Sequence, residues 1–176
     1  MAVARMNDSR FTIHLSRVGI GFDSHRFAPG GPLILAGTRI PVEFSLAGHS
    51  DGDAVAHAVT DAVLGAAALG DIGEMFPDSD PDLRGADSME MLRAAVARVH
   101  DVGYAVVNAD VVVIAETPKV GPYRNAMRAA LAEALDVRLA DVNVKGKTNE
   151  RMGWVGRGEG LACFAYVSIA RRSAGV

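Results

Sequence analysis

The segment VGIGFDSHRF, residues 18–27, sets an aspartate and a histidine two residues apart where an apolar strand runs toward its next turn. Successive side chains of a strand alternate between its faces. Val18, Ile20 and Phe22 then share one face, and Gly19, Gly21, Asp23 and His25 share the other. A carboxylate and an imidazole thus project the same way, beyond two glycines that leave room beside them. That arrangement suits two metal ligands, and it equally suits a polar strand end satisfied by hydrogen bonds.

His57 lies in the almost wholly apolar segment 54–69. A helix there puts Asp53 and Asp61, at i−4 and i+4, on the face of His57. An imidazole in so apolar a helix is costly unless it has partners. The partner is either a core aspartate or a metal. Asp23, His25 and His57 together offer two imidazoles and one carboxylate, a catalytic-type zinc set with one coordination place open. The same set suits non-haem Fe(II). Asp61 would then be the acceptor that fixes the imidazole tautomer. The absence of HExxH excludes the usual metalloprotease arrangement.

A second cluster occupies residues 144–160, VKGKTNERMGWVGRGEG, where Lys145, Lys147, Arg151 and Arg157 stand among five glycines. Glycine-rich backbone turns its N–H groups toward anions, and the cations add charge. GKT at 146–148 is not a P-loop, because Asp141 occupies the position that needs glycine. Glu150, an acid among cations, suits a hard ion such as Mg²⁺ held against a phosphate. The alternative is a solvated hairpin loop. Backbone groups of 116–122 and Lys119 are suited to a nucleotide, or form a plain strand-to-helix turn.

The elements that must position these residues follow from periodicity. Strands are expected at about 18–23, 33–37, 39–44, 104–116, 141–147 and 161–172. A buried helix follows 49–53, with Ser50 as N-cap and Asp53 three residues on. Residues 71–85, rich in Pro, Gly and Asp, read as a loop. A second helix spans about 87–102 and is closed by Gly103; a third starts at Pro122 and runs to about Leu135. The order predicts an α+β domain with helices against one face of a mixed sheet. The bare face suits a partner chain.

The chain has 176 residues, 49% hydrophobic and 22% charged, with net charge −3. It suffices for one domain with a real core. Residues 1–16 read as an extension without the apolar core of a signal peptide, and 17–172 as a single catalytic domain. No global positive charge gathers nucleic acid, and no run reaches the roughly 20 apolar residues that span a bilayer. The one cysteine, Cys163, sits in an apolar run and suits a reducing, cytoplasmic setting.

GFDSHRF, GHSDGDAVAHAVTDAVLGAAALGDIGEMFPDSDP, ETPK, KTNE and GRGEG occur in this order over about residues 18–171. The ordered set closely resembles the 2-C-methyl-D-erythritol 2,4-cyclodiphosphate synthase family of the non-mevalonate isoprenoid pathway. The resemblance implies a ferredoxin-like-related α+β sandwich assembled as a homotrimer with active sites between chains. It implies a phosphorus–oxygen lyase. The 2-phosphate of 4-diphosphocytidyl-2-C-methyl-D-erythritol 2-phosphate attacks its own β-phosphorus, giving the cyclic diphosphate and CMP. A metal-dependent phosphohydrolase of a nucleoside diphosphate conjugate is the alternative.

By the same resemblance, Asp23, His25 and His57 hold zinc. His49 and Ser50 bind substrate, and His49 and Thr148 stabilise the transition state. Asp71, Ile72 and Gly73, then Phe76, Pro77, Asp78, Ser79 and Asp80, cover the methylerythritol part. Ala115, Glu116, Thr117, Pro118, Lys119, Val120 and Gly121 form the cytidine pocket. Lys147, Thr148, Asn149 and Glu150 contact the diphosphate, with Glu150 on a second divalent ion, Mg²⁺ or Mn²⁺. Trp154 and Arg157 complete the substrate set, Arg157 as a phosphate-binding cation near the trimer axis. Lys147 and Trp154 depart from the family's usual threonine and phenylalanine.

Overall fold

The alternation expected at 18–23 extends over a longer strand, β1 (Ser16–Pro29), in a computed structural model. It describes residues 16–172 apart from His49, Asp78, Pro81, Asp82 and Arg84. Residues 1–15, most of the expected extension, therefore lie outside the described residues, and Ser16 already belongs to β1. β2 (Leu33–Leu35) and β3 (Thr38–Ile40) form a separate hairpin. The strand expected over 39–44 is broken: β3 stops at Ile40 and β4 (Phe44–Leu46) starts afresh. Pro41 between them has no N–H to give to a ladder.

The main sheet is completed by β5 (Tyr104–Ile114), β6 (Val142–Lys147) and β7 (Gly160–Arg171). Its order is β4-β1-β7-β5-β6. β5 and β6 are parallel; the other neighbours are antiparallel. Helices α1 (Ala54–Ala67), α3 (Ser88–Asp101) and α4 (Arg124–Ala134) cover one face. A four-residue helix, α2 (Ile72–Met75), interrupts the expected loop at 71–85, and another, α5 (Gly153–Gly156), lies in the glycine-rich segment before β7. The expectation of a mixed sheet with helices on one face holds.

On the other face Val18, Ile20, Phe22 and Tyr166 are 64%, 56%, 49% and 52% exposed, an apolar stripe across β1 and β7. Cys163 is buried beneath the helices, as its apolar run suggested. Gly103, with φ +84°, closes α3 as expected.

The N-terminus of α1 differs from expectation. Asp53, not Ser50, is the N-cap, and its side chain accepts from the N–H groups of Val55 and Ala56. It also accepts from Ala36 N at 2.8 Å and Gly37 N at 2.7 Å, so one fully buried carboxylate ties the helix to the β2–β3 turn. Burial raises its pKa even though these backbone donors favour the anion.

α1 lies directly on the backbone of β1. A β-carbon at Gly19 would stand 1.9 Å from the Ala62 carbonyl oxygen, and one at Gly21 would stand 1.8 Å from that of Ala58. Both glycines are there because nothing larger fits. Gly21→Ala should destabilise the fold by about 3 kcal/mol or more, the upper range for overpacking. Gly65→Ala, in α1 with open space around it, should stabilise by about 0.5–1 kcal/mol through helix propensity. Urea unfolding of both variants measures this pair.

Candidate active site

Beyond Gly21, the same face of β1 carries Asp23 and His25 to the end of α1 where His57 stands. Asp23 Oδ2 is 3.0 Å from His25 Nδ1 and 3.1 Å from His57 Nδ1. One donor atom from each of the three residues lies within 4.8 Å of the others. The edge of a tetrahedron with metal–ligand bonds of about 2.0–2.1 Å is roughly 3.3 Å, so these spacings fit a shared ion. His25 Nδ1 adds a sharper test. It is buried with no hydrogen-bond partner among the described residues, despite its proximity to Asp23. Its lone pair and the carboxylate converge on a common point rather than on each other, as the ligands of one divalent ion do.

Burial opposes the charge on Asp23, but the neighbouring imidazoles of His25 and His57 prevail and hold its pKa at about 2. Burial also lowers the pKa of His57; Asp23, and beyond it Asp53 and Asp51, more than offset this and raise it above the ordinary value. The carboxylate stays anionic, and wherever the imidazole is protonated it must give up that proton to bind a metal.

His57 Nε2 does not face Asp61. It lies 3.0 Å from Ser50 Oγ and 2.9 Å from Ser88 Oγ, and Ser88 Oγ donates to Asp51 Oδ1. Asp61 Oδ1 instead accepts from Ile72 N at 2.8 Å and anchors α2. The expectation that Asp61 fixes the imidazole is therefore corrected: the i+4 relation puts it on the right face, but its carboxylate reaches the next helix. Ser50 is at the site as expected. Ser88 and Asp51 were missed, and the only signals were an Asp-Ser pair opening a helix and the acids of HSDGD.

At the same end of the sheet, a cavity of about 360 Å³ is lined by Ala115, Pro118, Lys119, Val120, Gly121, Lys147 and Thr148, together with Arg124 and Gly146. The strand-to-helix turn and the GKT segment, 25 or more residues apart in sequence, thus meet because β5 and β6 run parallel and side by side. Lys119, Arg124 and Lys147 give this cavity three cations and, among the described residues, no acid. Arg124, the first residue of α4, was not foreseen.

Glu116 and Thr117 do not line the cavity. Glu116 Oε1 accepts from Asn149 N at 3.0 Å and Arg151 N at 2.9 Å. It thereby clamps the turn carrying Glu150 and Arg151, whose φ values are +49° and +60°. Glu150 Oε1 accepts from Thr148 Oγ1 at 2.7 Å, and Asn149 Nδ2 donates to Met152 O at 2.8 Å.

The remaining expected residues lie elsewhere. Asp71 caps α2, which contains Ile72 and Gly73 and ends at Phe76. Pro77 and Asp80 make the following turn, with Ser79 inside it. Trp154 is on α5, partly exposed, and Arg157 pairs with Glu159 at 2.6 Å. None of these lines the cavity. His49 and Asp78 lie outside the described residues.

Across the sheet Asp23 is opposite Cys163, Cys163 opposite Val113, and Val113 opposite Gly146. Three strand spacings put the trio's strand about 14 Å from that of Lys147.

Residues 16–170 match the YgbB family. The 2-C-methyl-D-erythritol 2,4-cyclodiphosphate synthase of Gemmatimonas aurantiaca is 59% identical over 155 residues, 88% of this chain and 93% of that protein. The enzyme of the same name from Pectobacterium atrosepticum is 53% identical over 159 residues, 90% and 96% of the two chains. Among solved structures, IspF of Plasmodium falciparum in complex with CDP superposes with TM-score 0.79 at 30% identity, over 92% of this chain and 100% of that one. The bifunctional IspDF of Campylobacter jejuni gives 0.88 at 42% identity over 91% of this chain, which spans 43% of that longer one.

The trio predicts one tight divalent-metal site per chain. His57→Ala should weaken binding of the ion at least about 100-fold in a chelator-competition titration, given that three ligands share it. Because the His57 pKa is raised and that of Asp23 is about 2, the competing proton is that of the imidazole. Affinity should be highest where both imidazoles are neutral and fall by at least about tenfold per pH unit below the His57 pKa.

Proposed function

The chain belongs to the YgbB family, and on that premise we propose how its residues serve the activity of a 2-C-methyl-D-erythritol 2,4-cyclodiphosphate synthase, a phosphorus–oxygen lyase. The observation that carries the reading is the half-buried trio of Asp23, His25 and His57 around the unpartnered Nδ1 of His25. The comparison structure with CDP supports a cytidine diphosphate ligand in the cavity bounded by Ala115, Lys119, Gly121 and Thr148. Zinc at the trio and Mg²⁺ or Mn²⁺ at Glu150 would draw charge from the diphosphate oxygens and hold them in place.

The reaction forms one bond, from a 2-phosphate oxygen to the β-phosphorus, and breaks one, from the β-phosphorus to the bridging oxygen. The departing CMP keeps that electron pair. A phosphate monoester, with its second pKa near 6, is already an anion at neutral pH, so the chain needs no strong base. Its work is to bring two anions together. Lys119, Arg124 and Lys147 lower their repulsion, and the Thr148 hydroxyl donates to charge that grows on the leaving phosphate. His49 takes the same role at the other phosphate. Asp71 through Gly73 and Phe76 through Asp80, with Ser50, close over the methylerythritol chain; Trp154 and Arg157 border the site. Near-attack positioning of this kind contributes up to about 7–11 kcal/mol.

The 14 Å between the trio's strand and that of Lys147, estimated from strand spacing, exceeds the separation of the two phosphorus atoms of one diphosphate. This supports a site built from the trio of one chain and the cavity of another. The apolar stripe of Val18, Ile20, Phe22 and Tyr166 supplies the contact surface for a homotrimer. The phosphohydrolase alternative needs a base to activate water, and Asp61, its best candidate, is engaged by Ile72 N.

Phosphorus NMR tests the reaction. Protein with Mg²⁺ and 4-diphosphocytidyl-2-C-methyl-D-erythritol 2-phosphate should give the resonances of a cyclic diphosphate and CMP; linear phosphates would establish hydrolysis instead. Thr148→Val should lower kcat by roughly 10²–10³-fold, the usual cost of a lost charge-stabilising donor.

A further inference from the structure

We propose that Ser88 and Asp51 are positioning residues that set the tautomer of His57, placing its proton on Nε2 and leaving the Nδ1 lone pair for the ion shared with Asp23 and His25. The proposal rests on the metal-site reading above and assigns roles to two residues outside the ligand trio.

The chain of protons starts at Asp51. Its Oδ1 accepts from Asp53 N at 3.1 Å and its Oδ2 from Ser88 N at 3.3 Å. A carboxylate held by two backbone N–H groups is an acceptor, so in its short contact with Ser88 the hydroxyl is the donor. Ser88 is fully buried, so no water supplies a second proton. Its oxygen, having given its only hydrogen to Asp51, turns lone pairs toward His57 Nε2 at 2.9 Å. A deprotonated Nε2 would set lone pair against lone pair at that distance. A protonated one makes the bond, with Ser50 Oγ at 3.0 Å as a second acceptor, since the Ser50 hydroxyl can turn its own hydrogen to Ser88 Oγ at 3.3 Å, which has given its hydrogen to Asp51. Ser50 is itself held by Gly52 N at 3.2 Å.

A neutral imidazole with its hydrogen on Nε2 has a bare Nδ1, which stands 3.1 Å from Asp23 Oδ2. Two lone-pair bearers so close require a cation between them. The dyad therefore works from the far side of the ring. It selects the nitrogen that ligates, holds the ring plane and makes the nitrogen a better donor. Ser88 is also the first residue of α3, and Asp51 N donates to Ala86 O at 3.2 Å. The segment that ends the 76–87 connection is thus bonded to the loop that precedes α1, behind the metal ligand.

Zinc affinity, measured by chelator competition at fixed pH, tests the dyad. Ser88→Ala and Asp51→Asn should each bind zinc roughly 10- to 100-fold more weakly than wild type, the usual cost of losing such a partner. Ser88→Thr, which keeps the hydroxyl, should bind nearly as well as wild type. Nitrogen-15 NMR of zinc-loaded wild type should show a slowly exchanging Nε2–H on His57; this measurement needs no variant and holds even if Ser88→Ala fails to fold. Unchanged zinc affinity in both Ser88→Ala and Asp51→Asn overturns the proposal, as does a zinc-loaded His57 with its proton on Nδ1. Folded wild type that binds no zinc removes the metal-site reading itself, and this proposal with it.

Discussion

Helix α1 rests on strand β1 with no side chains between them where Gly19 and Gly21 stand, and the meeting of Asp23, His25 and His57 depends on that approach. The carbonyl oxygens of Ala58 and Ala62 occupy the space where β-carbons would be. With the helix axis that close to the strand, His57, one residue before Ala58, necessarily hangs over the next inward positions of β1, which are Asp23 and His25. Residues 34 positions apart in the chain thereby come within 3.1 Å. A bulkier strand would push the helix outward by more than an ångström, and the three donors would no longer fit one ion. The glycines are thus the mechanical basis of the metal site as well as a packing detail.

Electrostatics then separates two aspartates, Asp53 fully buried and Asp23 half-buried, by what surrounds them. Asp53 is enclosed by backbone N–H groups of α1 and of the β2–β3 turn and serves as a structural clasp. Asp23 faces two imidazoles, whose combined influence outweighs its desolvation. The Asp23 carboxylate faces Nδ1 of both imidazoles, and once both of these nitrogens are free of protons a divalent cation completes the arrangement. The second half of the chemistry lies where the parallel pair β5–β6 ends. There Lys119, Arg124 and Lys147 collect around one cavity, and Glu116 pins the turn that displays Thr148 and Glu150.

Local periodicity carried much of this in advance. The inward face of β1, the helix bearing His57, the αL closure at Gly103 and the mixed sheet with helices on one side all follow from alternation, helical spacing and turn residues. What escaped depended on distance in the chain. Asp61 has the right helical spacing to reach His57, yet the N–H of Ile72 claims its carboxylate. Ser50 has the right sequence for an N-cap, yet Asp53 takes that role because it also satisfies the turn at Ala36 and Gly37. Ser88 reaches His57 across 31 residues and Asp51 across 37, separations for which no short-range pattern exists. Glu116 reads as part of a nucleotide pocket by its neighbours, and only the folded turn shows it facing the other way.

Anomalous X-ray scattering at the zinc edge, from crystals grown with zinc and CDP, tests the central claim most directly. The account predicts a single strong peak per chain within bonding distance of Asp23, of His25 Nδ1 and of His57 Nδ1. Density with no such peak there, or with zinc held by other residues while the trio hydrogen-bonds among itself, would contradict it.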